Sequence, residues 1–378
     1  MSLFDRLRIG FKGWTRLKAS TGFSGRKGLA ALALASMSIT GAWAEKEVAI
    51  RFGVSSAGVG NPPRVSTGWT SVAQLHRYLE REFEKDGGKV SVEWIFFKGQ
   101  GPAVNEAMAN NQLDFTTLGD LPALVGRSAG LDTRLILVTN ARLDVYVAVP
   151  PESPVNAIGD LRGKRLVFHK GTSTQLAVDR ILALHGLTEK DVRIVNMEPA
   201  NAKAALVAGQ VDAIFGSFDL MAMQEKKQVK VIFNTRNLPA ATSLGYVLAN
   251  QRFAGAHPDL TRRVVKALVQ AADWASREEH RDSLFGLWAQ AGVVPAFLHR
   301  RQFEGIPLAE RLSPLLDEFI IAHIGRGVQD AVKYRLIRKP IDPAAWIDTT
   351  YLAAALRDLK LENHWPRFDR DGKLIAGR

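Results

Sequence analysis

Residues 165–184 read RLVFHKGTSTQLAVDRILAL, and this stretch predicts a strand, a turn and a helix in direct succession. The first four residues form an apolar strand, and Ala177, Ile181 and Leu184 recur at helical spacing after the turn. The GTST segment between them has two interpretations. It is either a turn that caps the helix, or a helix start that holds an anion on its free backbone N–H groups.

The same alternation of strand and helix runs along most of the chain. A first series of strands is predicted at residues 48–54, 90–97, 113–117, 135–138 and 145–149. A second, smaller series is predicted at residues 165–168, 193–197, 211–215 and 229–233. From about residue 257 the pattern is helical. Alternating strands and helices predict mostly parallel sheets covered by helices, so the expected fold class is α/β.

Two such units predict a protein with two lobes. Residues 45–144 and 246–378 are expected to form a discontinuous lobe I with a helical C-terminal region, and residues 145–245 to form lobe II. The strands Val145–Val149 and Tyr246–Ala249 flank lobe II, and we expect them to be the crossovers between the lobes. A cleft at such a boundary is a usual place for a small ligand.

Residues 1–44 have the pattern of a cleavable signal peptide. Seven Lys or Arg residues and one Asp occupy the first 27 positions, an uncharged apolar stretch follows from Gly28, and Ala42-Trp43-Ala44 provides small residues at a cleavage site. A buried helix or an uncleaved signal anchor is the alternative, although the apolar stretch is short for a membrane span. The sequence contains no cysteine, which a bacterial lipid anchor requires. We therefore expect a periplasmic monomer with no stable membrane insertion.

Composition argues against several classes of function. The 378 residues carry a formal net charge of +12, but no long basic run predicts nucleic-acid binding. The eight histidines show no metal-ligand spacing, and the common nucleotide-binding and hydrolase motifs are absent from the sequence. Asp114, Asp120, Asp212 and Asp219 stand at strand ends without a base or nucleophile beside them, which favours turn capping. We predict no cofactor, no metal and no enzymatic activity.

Five predicted strands end in loops rich in glycine and hydroxyl residues. These loops are Ser55–Gly58, Lys98–Pro102, Gly119–Pro122, Gly171–Thr174 and Gly216–Asp219. Ligands of open α/β sheets bind beyond the carboxyl ends of the strands, and free N–H groups at helix starts attract anions. Any one of these loops is explained by turns and caps alone. Five at equivalent positions predict a binding cleft for a small anion.

Several long stretches resemble a known family. Residues 96–124 (FFKGQGPAVNEAMANNQLDFTTLGDLPAL) and 158–219 (IGDLRGKRLVFHKGTSTQLAVDRILALHGLTEKDVRIVNMEPANAKAALVAGQVDAIFGSFD) resemble the substrate-binding proteins of ABC importers of the aliphatic sulfonate, nitrate and taurine type. Residues 256–275 and 339–352 resemble C-terminal stretches of the same family. The resemblance covers residues 48–355, which is nearly the whole chain after the predicted signal peptide.

This resemblance implies a type II periplasmic binding fold, in which two α/β lobes joined by a two-strand hinge close on the ligand. It also implies delivery of the ligand to a membrane permease and its ATPase. By position, the family's ligand-binding loops match Ser55, Ser56, Gly101, Pro102, Gly119, Asp120, Thr172, Ser173 and Thr174.

Two departures from the family pattern leave the ligand open. Ser217 and Phe218 stand where many members have Trp-x-Pro, so Phe218 either replaces the aromatic wall or leaves the wall more open. The first loop is long and contains Arg64 and Trp69. Arg64 either pairs with an acidic ligand group or lies in solvent, and Trp69 either stacks on a ligand or belongs to the core.

The ligand favoured by this pattern is a small organic sulfonate. Nitrate or bicarbonate, taurine and a pyrimidine precursor are the alternatives within the same class. An enzyme on the same fold, such as a relative of pyrimidine synthase, is disfavoured because that enzyme uses a cysteine-rich iron site. A ligand sensor or scaffold is a further alternative.

Overall fold

The computed structural model describes residues 47–375, so the predicted signal peptide lies outside the described residues. Ten strands follow one another along this part of the chain. They are β1 (Val48–Val54), β2 (Val90–Phe96), β3 (Phe115–Gly119), β4 (Thr133–Leu143), β5 (Tyr146–Val149), β6 (Arg165–Phe168), β7 (Arg193–Asn196), β8 (Ala213–Gly216), β9 (Lys230–Asn234) and β10 (Ser243–Asn250).

These strands form two five-stranded sheets. The first sheet has the order β2-β1-β3-β10-β4, and the second has the order β7-β6-β8-β5-β9. In the first sheet β1 is parallel to β2 and β3, whereas β10 is antiparallel to β3 and β4. In the second sheet β6 is parallel to β7 and β8, and β5 is antiparallel to β8 and β9. Each sheet therefore combines parallel strands with one reversed strand.

The chain passes between the sheets twice. It leaves the first sheet between Leu143 and Tyr146 and returns to it between Asn234 and Ser243. Strand β10 therefore starts three residues before the lobe boundary expected at residue 246. The division into lobes at residues 144/145 and 245/246 stays a prediction.

Fifteen α-helices accompany the strands within residues 47–375. The first seven are α1 (Trp69–Leu75), α2 (Tyr78–Glu84), α3 (Gln100–Ala109), α4 (Asp120–Ser128), α5 (Ser173–Leu184), α6 (Pro199–Val207) and α7 (Asp219–Glu225). The last eight form the C-terminal helical region: α8 (Gln251–Ala256), α9 (Pro258–Ser276), α10 (Arg281–Ala289), α11 (Ala296–Gln302), α12 (Leu308–Arg311), α13 (Glu318–Lys333), α14 (Pro343–Trp346) and α15 (Thr350–Leu359). None of the described helices is both long enough and apolar enough to cross a membrane.

Helix α5 has contacts with both halves of the molecule. Its side chains Ala177 and Ile181 belong to the apolar core of the second sheet. Leu176, on another face of the helix, is buried among Leu121 and Leu244 beside the first sheet. Because apolar burial is the main favourable term in packing, this helix holds the two sheets together. It also fixes the position of its own N-terminus, where the GTST segment lies.

Candidate functional site

No side chain caps the N-terminus of α5. Thr172 is the N-cap residue and has extended backbone angles, but its hydroxyl donates a hydrogen bond to the carbonyl oxygen of His169 at 2.7 Å. Gly171, just before it, has φ of 76°, a left-handed conformation that glycine adopts at little cost. The first N–H groups of a helix have no partner within the helix. The N–H of Gln175 donates to the carbonyl oxygen of Thr172 at 3.0 Å, so the N–H groups of Ser173 and Thr174 are the ones available to a negatively charged group.

The loop after β3 lies directly against this helix start. A Cβ atom on Gly119 would overlap the hydroxyl oxygen of Ser173 and would lie 3.1 Å from the Cβ of Ser173. The hydroxyl oxygen itself is enclosed by protein. Only glycine at position 119 allows the two loops, which follow strands of different sheets, to come so close.

The loop after β2 meets the same segment from another side. The Nδ1 atom of His169 lies 3.2 Å from Oε1 of Gln100. A Cβ atom on Gly171 would be 3.1 Å from Cγ of Pro102, and one on Gly101 would be 3.6 Å from the carbonyl oxygen of Gly171. Three of the five predicted loops, those at residues 98–102, 119–122 and 171–174, are thus brought together.

Asp120 places a buried carboxyl at this junction. The side chain is 3 % exposed and accepts hydrogen bonds from the backbone N–H groups of Leu121 at 2.7 Å and Leu244 at 3.4 Å. Burial raises the pKa of this carboxyl, and the positive charge of Arg180 and the hydroxyl of Ser173 oppose that shift. Asp120 therefore braces the loop through its backbone contacts, with Arg180 as its nearby countercharge.

Arg180 joins the second sheet's helix α5 to the C-terminal helix α13. Its Nε donates to Oδ2 of Asp330 at 2.8 Å, and its Nη1 lies 3.3 Å from Nε2 of His323. Arg180 is only 7 % exposed. The pKa of His323 falls to about 3, chiefly through burial and also through the adjacent arginine charges, so the ring is neutral at physiological pH and accepts the hydrogen bond.

The loop after β8 provides a second contact with the C-terminal helices. The ring of Phe218 lies 5.8 Å from that of Tyr146 and 6.0 Å from that of His299 in α11. His299 is 2 % exposed, and burial lowers its pKa to about 4. Ser217 is exposed and donates to Oδ1 of Asp219 at 2.8 Å. Phe218 thus packs between strand β5 of the second sheet and helix α11, whereas Ser217 is exposed.

The remaining predicted site residues lie in the first loop or beside the helix start. Ser55 and Ser56 are partly buried at the end of β1, where Oγ of Ser56 accepts from the N–H of Gly58 at 3.2 Å. Thr174 is partly buried in the first turn of α5. Ser56 therefore stabilises its own turn. Contact of Ser55, Ser56 and Thr174 with a ligand stays a prediction.

For Trp69 the structure favours the core alternative over stacking on a ligand. The ring is 0 % exposed, packs in the main apolar core and donates from Nε1 to the carbonyl oxygen of Val138 at 3.2 Å. Arg64 is partly buried, and its guanidinium donates to the carbonyl oxygen of Gln290 at the end of α10. That hydrogen bond gives Arg64 a structural partner within the protein.

The described part of the chain has no group of three or more His, Cys, Asp or Glu side chains placed to hold a metal ion.

Residues 83–280, more than half of the chain, match the family model described as "NMT1/THI5 like". The chain belongs to the NMT1/THI5-like family.

Proteins similar to this NMT1/THI5-like chain in sequence or structure include proteins named as binding proteins. A Bacillus subtilis (strain 168) protein, provisionally named an aliphatic sulfonates-binding protein, is 25% identical over 290 residues, which are 76% of this chain and 84% of that protein. The structure of the alkanesulfonate-binding protein SsuA from Xanthomonas axonopodis pv. citri, bound to MOPS, has a TM-score of 0.66 and 26% identity, covering 81% of this chain and 99% of that one. The expected type II periplasmic binding fold is therefore confirmed.

The same fold also occurs in an enzyme. The desulfurization enzyme DSZB has a TM-score of 0.62 and 18% identity, covering 83% of this chain and 100% of that one. At this identity the likeness concerns the fold alone. The fold of this NMT1/THI5-like chain therefore does not show whether it is a receptor or an enzyme. That distinction depends on the residues of the site.

Sequence reasoning missed three contributors to the site: Gln100, His169 and Arg180. Gln100 lies within the predicted loop Lys98–Pro102, and His169 lies two residues before the predicted loop Gly171–Thr174. The signal available for them was a polar side chain at the end of each of the two strands. Arg180 lies on the buried face of α5. Because the neighbouring residues of that face are apolar, their spacing predicts a core face and does not indicate a functional arginine. Its partner Asp330 is 150 positions further along the chain, so no local pattern connects them.

Proposed function

We propose that this protein is a periplasmic solute receptor that binds a small organic sulfonate between its two lobes and delivers it to an ABC permease and its ATPase. In this proposal the ligand meets the N-terminus of α5, with Thr172, Ser173 and Thr174, and the facing loop of Gly119 and Asp120. Gly101 and Pro102 support the junction. Ser55, Ser56, Ser217 and Phe218 are proposed as outer walls of the cleft.

The observation that carries the proposal is the junction of Gly119 with Ser173. It brings a helix start without a side-chain cap against a loop from the other sheet. The backbone N–H groups of Ser173 and Thr174 and the hydroxyl of Thr174 are the hydrogen-bond donors there, and the helix dipole favours negative charge. A sulfonate spreads one negative charge over three acceptor oxygens, so several neutral donors can bind it together. The names of the two sulfonate-binding proteins described above support the same class of ligand, an organic sulfonate.

We further propose that the protein binds its ligand without transforming it. Asp120 is the buried carboxyl at the junction, and its oxygens accept from two backbone N–H groups, so the carboxyl stabilises the loop. The 378 residues contain no cysteine to act as a nucleophile. Closure around the ligand, as in other hinged two-lobe proteins, then serves recognition by the permease.

Thermal unfolding in the presence of candidate ligands tests the proposal. 1-Butanesulfonate, MOPS or taurine should raise the melting temperature, because a ligand that binds only the folded state stabilises it by about 2.7 kcal/mol at one hundred times its Kd. The matched control is pentanoate, which has a similar chain and a planar carboxylate. Nitrate, bicarbonate and an aminopyrimidine test the alternatives. Buffers must contain no sulfonate, which excludes MOPS and HEPES as buffers.

The absence of a shift with every sulfonate would contradict the proposed ligand class. A shift with nitrate or bicarbonate alone would move the assignment to inorganic anions. Release of sulfite from a bound sulfonate, measured after prolonged incubation, would contradict the proposal that the protein is a receptor without catalytic activity.

A further inference from the structure

The loop before α5, residues 169–172, is held in place by the side chains of Gln175 and Glu189. The N–H of Gly171 donates to Oε1 of Gln175 at 2.8 Å, and Nε2 of Gln175 donates to Oε1 of Glu189 at 3.1 Å. The other carboxylate oxygen of Glu189 lies 3.5 Å from Nζ of Lys170. Glu189 is thus connected to two consecutive residues of the loop, directly to Lys170 and through Gln175 to Gly171.

The chemistry of these groups gives Gln175 one orientation. A glutamine amide has a donor end and an acceptor end, whereas an ionised carboxylate only accepts hydrogen bonds. Glu189 therefore holds the NH₂ group of Gln175, which leaves the amide oxygen to face Gly171. Gln175 is 7 % exposed, so its side chain has little freedom to turn. The direction of the Gly171 backbone, and with it the start of the helix, depends on this contact.

We propose that Gln175, oriented by Glu189, is a positioning residue for the anion-binding loop 169–172, and that Asp179 makes this positioning depend on pH. The inference rests on the proposed function, since it concerns how the same site is kept ready for a sulfonate. Gln175 acts through the loop and does not itself contact the ligand.

Asp179 lies one helical turn beyond Gln175, with Glu189 as its carboxylate neighbour. Its Oδ2 atom is enclosed by protein and receives no hydrogen bond from a described donor. The side chain is 7 % exposed. Lys170 and Glu189 face it from the loop side, Tyr334 lies near it at the end of α13, and its neighbour Arg180 is paired with Asp330. Burial and the adjacent Glu189 raise the pKa of Asp179 to about 7.

The direction of the pH effect follows from this arrangement. Below pH 7 the neutral carboxyl of Asp179 donates a hydrogen bond to Glu189 and leaves the contact between Glu189 and Gln175 intact. Above pH 7 two carboxylates face each other, and their repulsion displaces Glu189 from Gln175. We therefore expect sulfonate affinity to fall as the pH rises through 7.

The first test replaces Gln175 by methionine, which keeps the length of the side chain and removes both hydrogen bonds. The affinity for 1-butanesulfonate, which stays ionised throughout, is measured by calorimetry at pH 6 in sulfonate-free buffer. We expect a loss of about tenfold, since the two hydrogen bonds together contribute about that factor. The matched control is Gln224→Met, because Oε1 of Gln224 accepts from the N–H of Val231 at 2.7 Å in the same way but in α7. The control should bind within about twofold of the unaltered protein.

The second test uses Asp179→Asn, whose amide can donate to Glu189 at every pH. The affinity of the unaltered protein should fall several-fold between pH 6 and pH 8, and the variant should lose this dependence. A role in folding alone would not change the pH profile. The loop's histidine, His169, is still present in the variant, so any pH dependence due to His169 would survive.

Unaltered affinity in Gln175→Met, or an unchanged pH profile in Asp179→Asn, would overturn the inference while the proposed function stands. The second variant keeps the test decisive if the first does not fold, because asparagine is a neutral side chain of the same shape as the protonated Asp179. Failure of the unaltered protein to bind any sulfonate would overturn the proposed function and this inference together.

Discussion

Gly119→Val is expected to lower the affinity for a sulfonate by at least about 100-fold, which corresponds to about 2.7 kcal/mol. Even a single added carbon at this position would overlap the Ser173 hydroxyl and come within 3.1 Å of the Ser173 Cβ, and valine adds two further methyl groups. The backbone of Gly119 is extended, with φ of −73° and ψ of 167°, so valine meets no strain there. The expected loss therefore comes from the contact between the two loops.

Calorimetry with 1-butanesulfonate measures this effect, and thermal unfolding reports whether the fold survives. The control is Gly159→Val, at an exposed position with no atom near the added carbon, and it should bind normally. The double variant Gly119→Ala with Ser173→Gly should bind better than Gly119→Ala alone, because the overlapping hydroxyl is removed. Normal affinity in Gly119→Val would show that the two loops need not approach for binding.

Arg180→Met is expected to reduce the free energy of unfolding by about 3 kcal/mol, the lower end of the usual cost of removing one partner from a buried ion pair, because Arg180 is buried but Asp330 is partly exposed. The change leaves Asp330 without its 2.8 Å partner and Asp120 without its nearby countercharge. Methionine preserves most of the aliphatic packing of the arginine side chain. The expected loss is therefore mainly electrostatic.

The pH dependence of this loss has a definite sign. Burial raises the pKa of Asp120 above its ordinary value, and Arg180 opposes the rise. Without Arg180 the folded protein holds the Asp120 proton still more tightly than the unfolded chain does, so stability decreases as the pH rises through the folded-state pKa. The destabilisation should be larger at pH 8 than at pH 5.

Urea unfolding at the two pH values measures both effects. Arg262→Met is the control, because Arg262 pairs with Asp358 at 2.8 Å on the surface, where such pairs contribute about 1 kcal/mol or less. Equal losses for Arg180→Met and Arg262→Met would refute the structural role of Arg180. So would a loss for Arg180→Met that is independent of pH.

Local patterns predicted the sheets better than the helix boundaries. The spacing of Trp69, Val72, Leu75, Leu79 and Phe83 favours one continuous helix. The structure instead has α1 and α2, separated at Arg77, whose φ is 57°. Both short helices pack against α9 from the distant C-terminal region, and that tertiary packing is not recorded in the local spacing.

In the candidate site, too, local sequence predicted the loops but not the contacts between segments that are far apart in the chain. Loops that follow strands were predictable, because glycine and hydroxyl residues mark where a strand ends and a helix begins. The approach of Gly119 to Ser173 and the pairing of Arg180 with Asp330 join segments far apart in sequence. The sequence left two alternatives open for Trp69, because an aromatic residue beside a predicted ligand loop has the same local pattern as a core residue.

The position of β10 has a consequence for the order of folding. This strand lies inside the first sheet, paired on one side with β3 and on the other with β4. Until residues 243–250 are present, β3 and β4 each keep an unpaired edge, and unpaired edges invite association with other chains. All strands of the second sheet, in contrast, lie within residues 146–234, and shorter loops close more readily. We therefore expect the second sheet to form first and to act as the support on which the first sheet is completed.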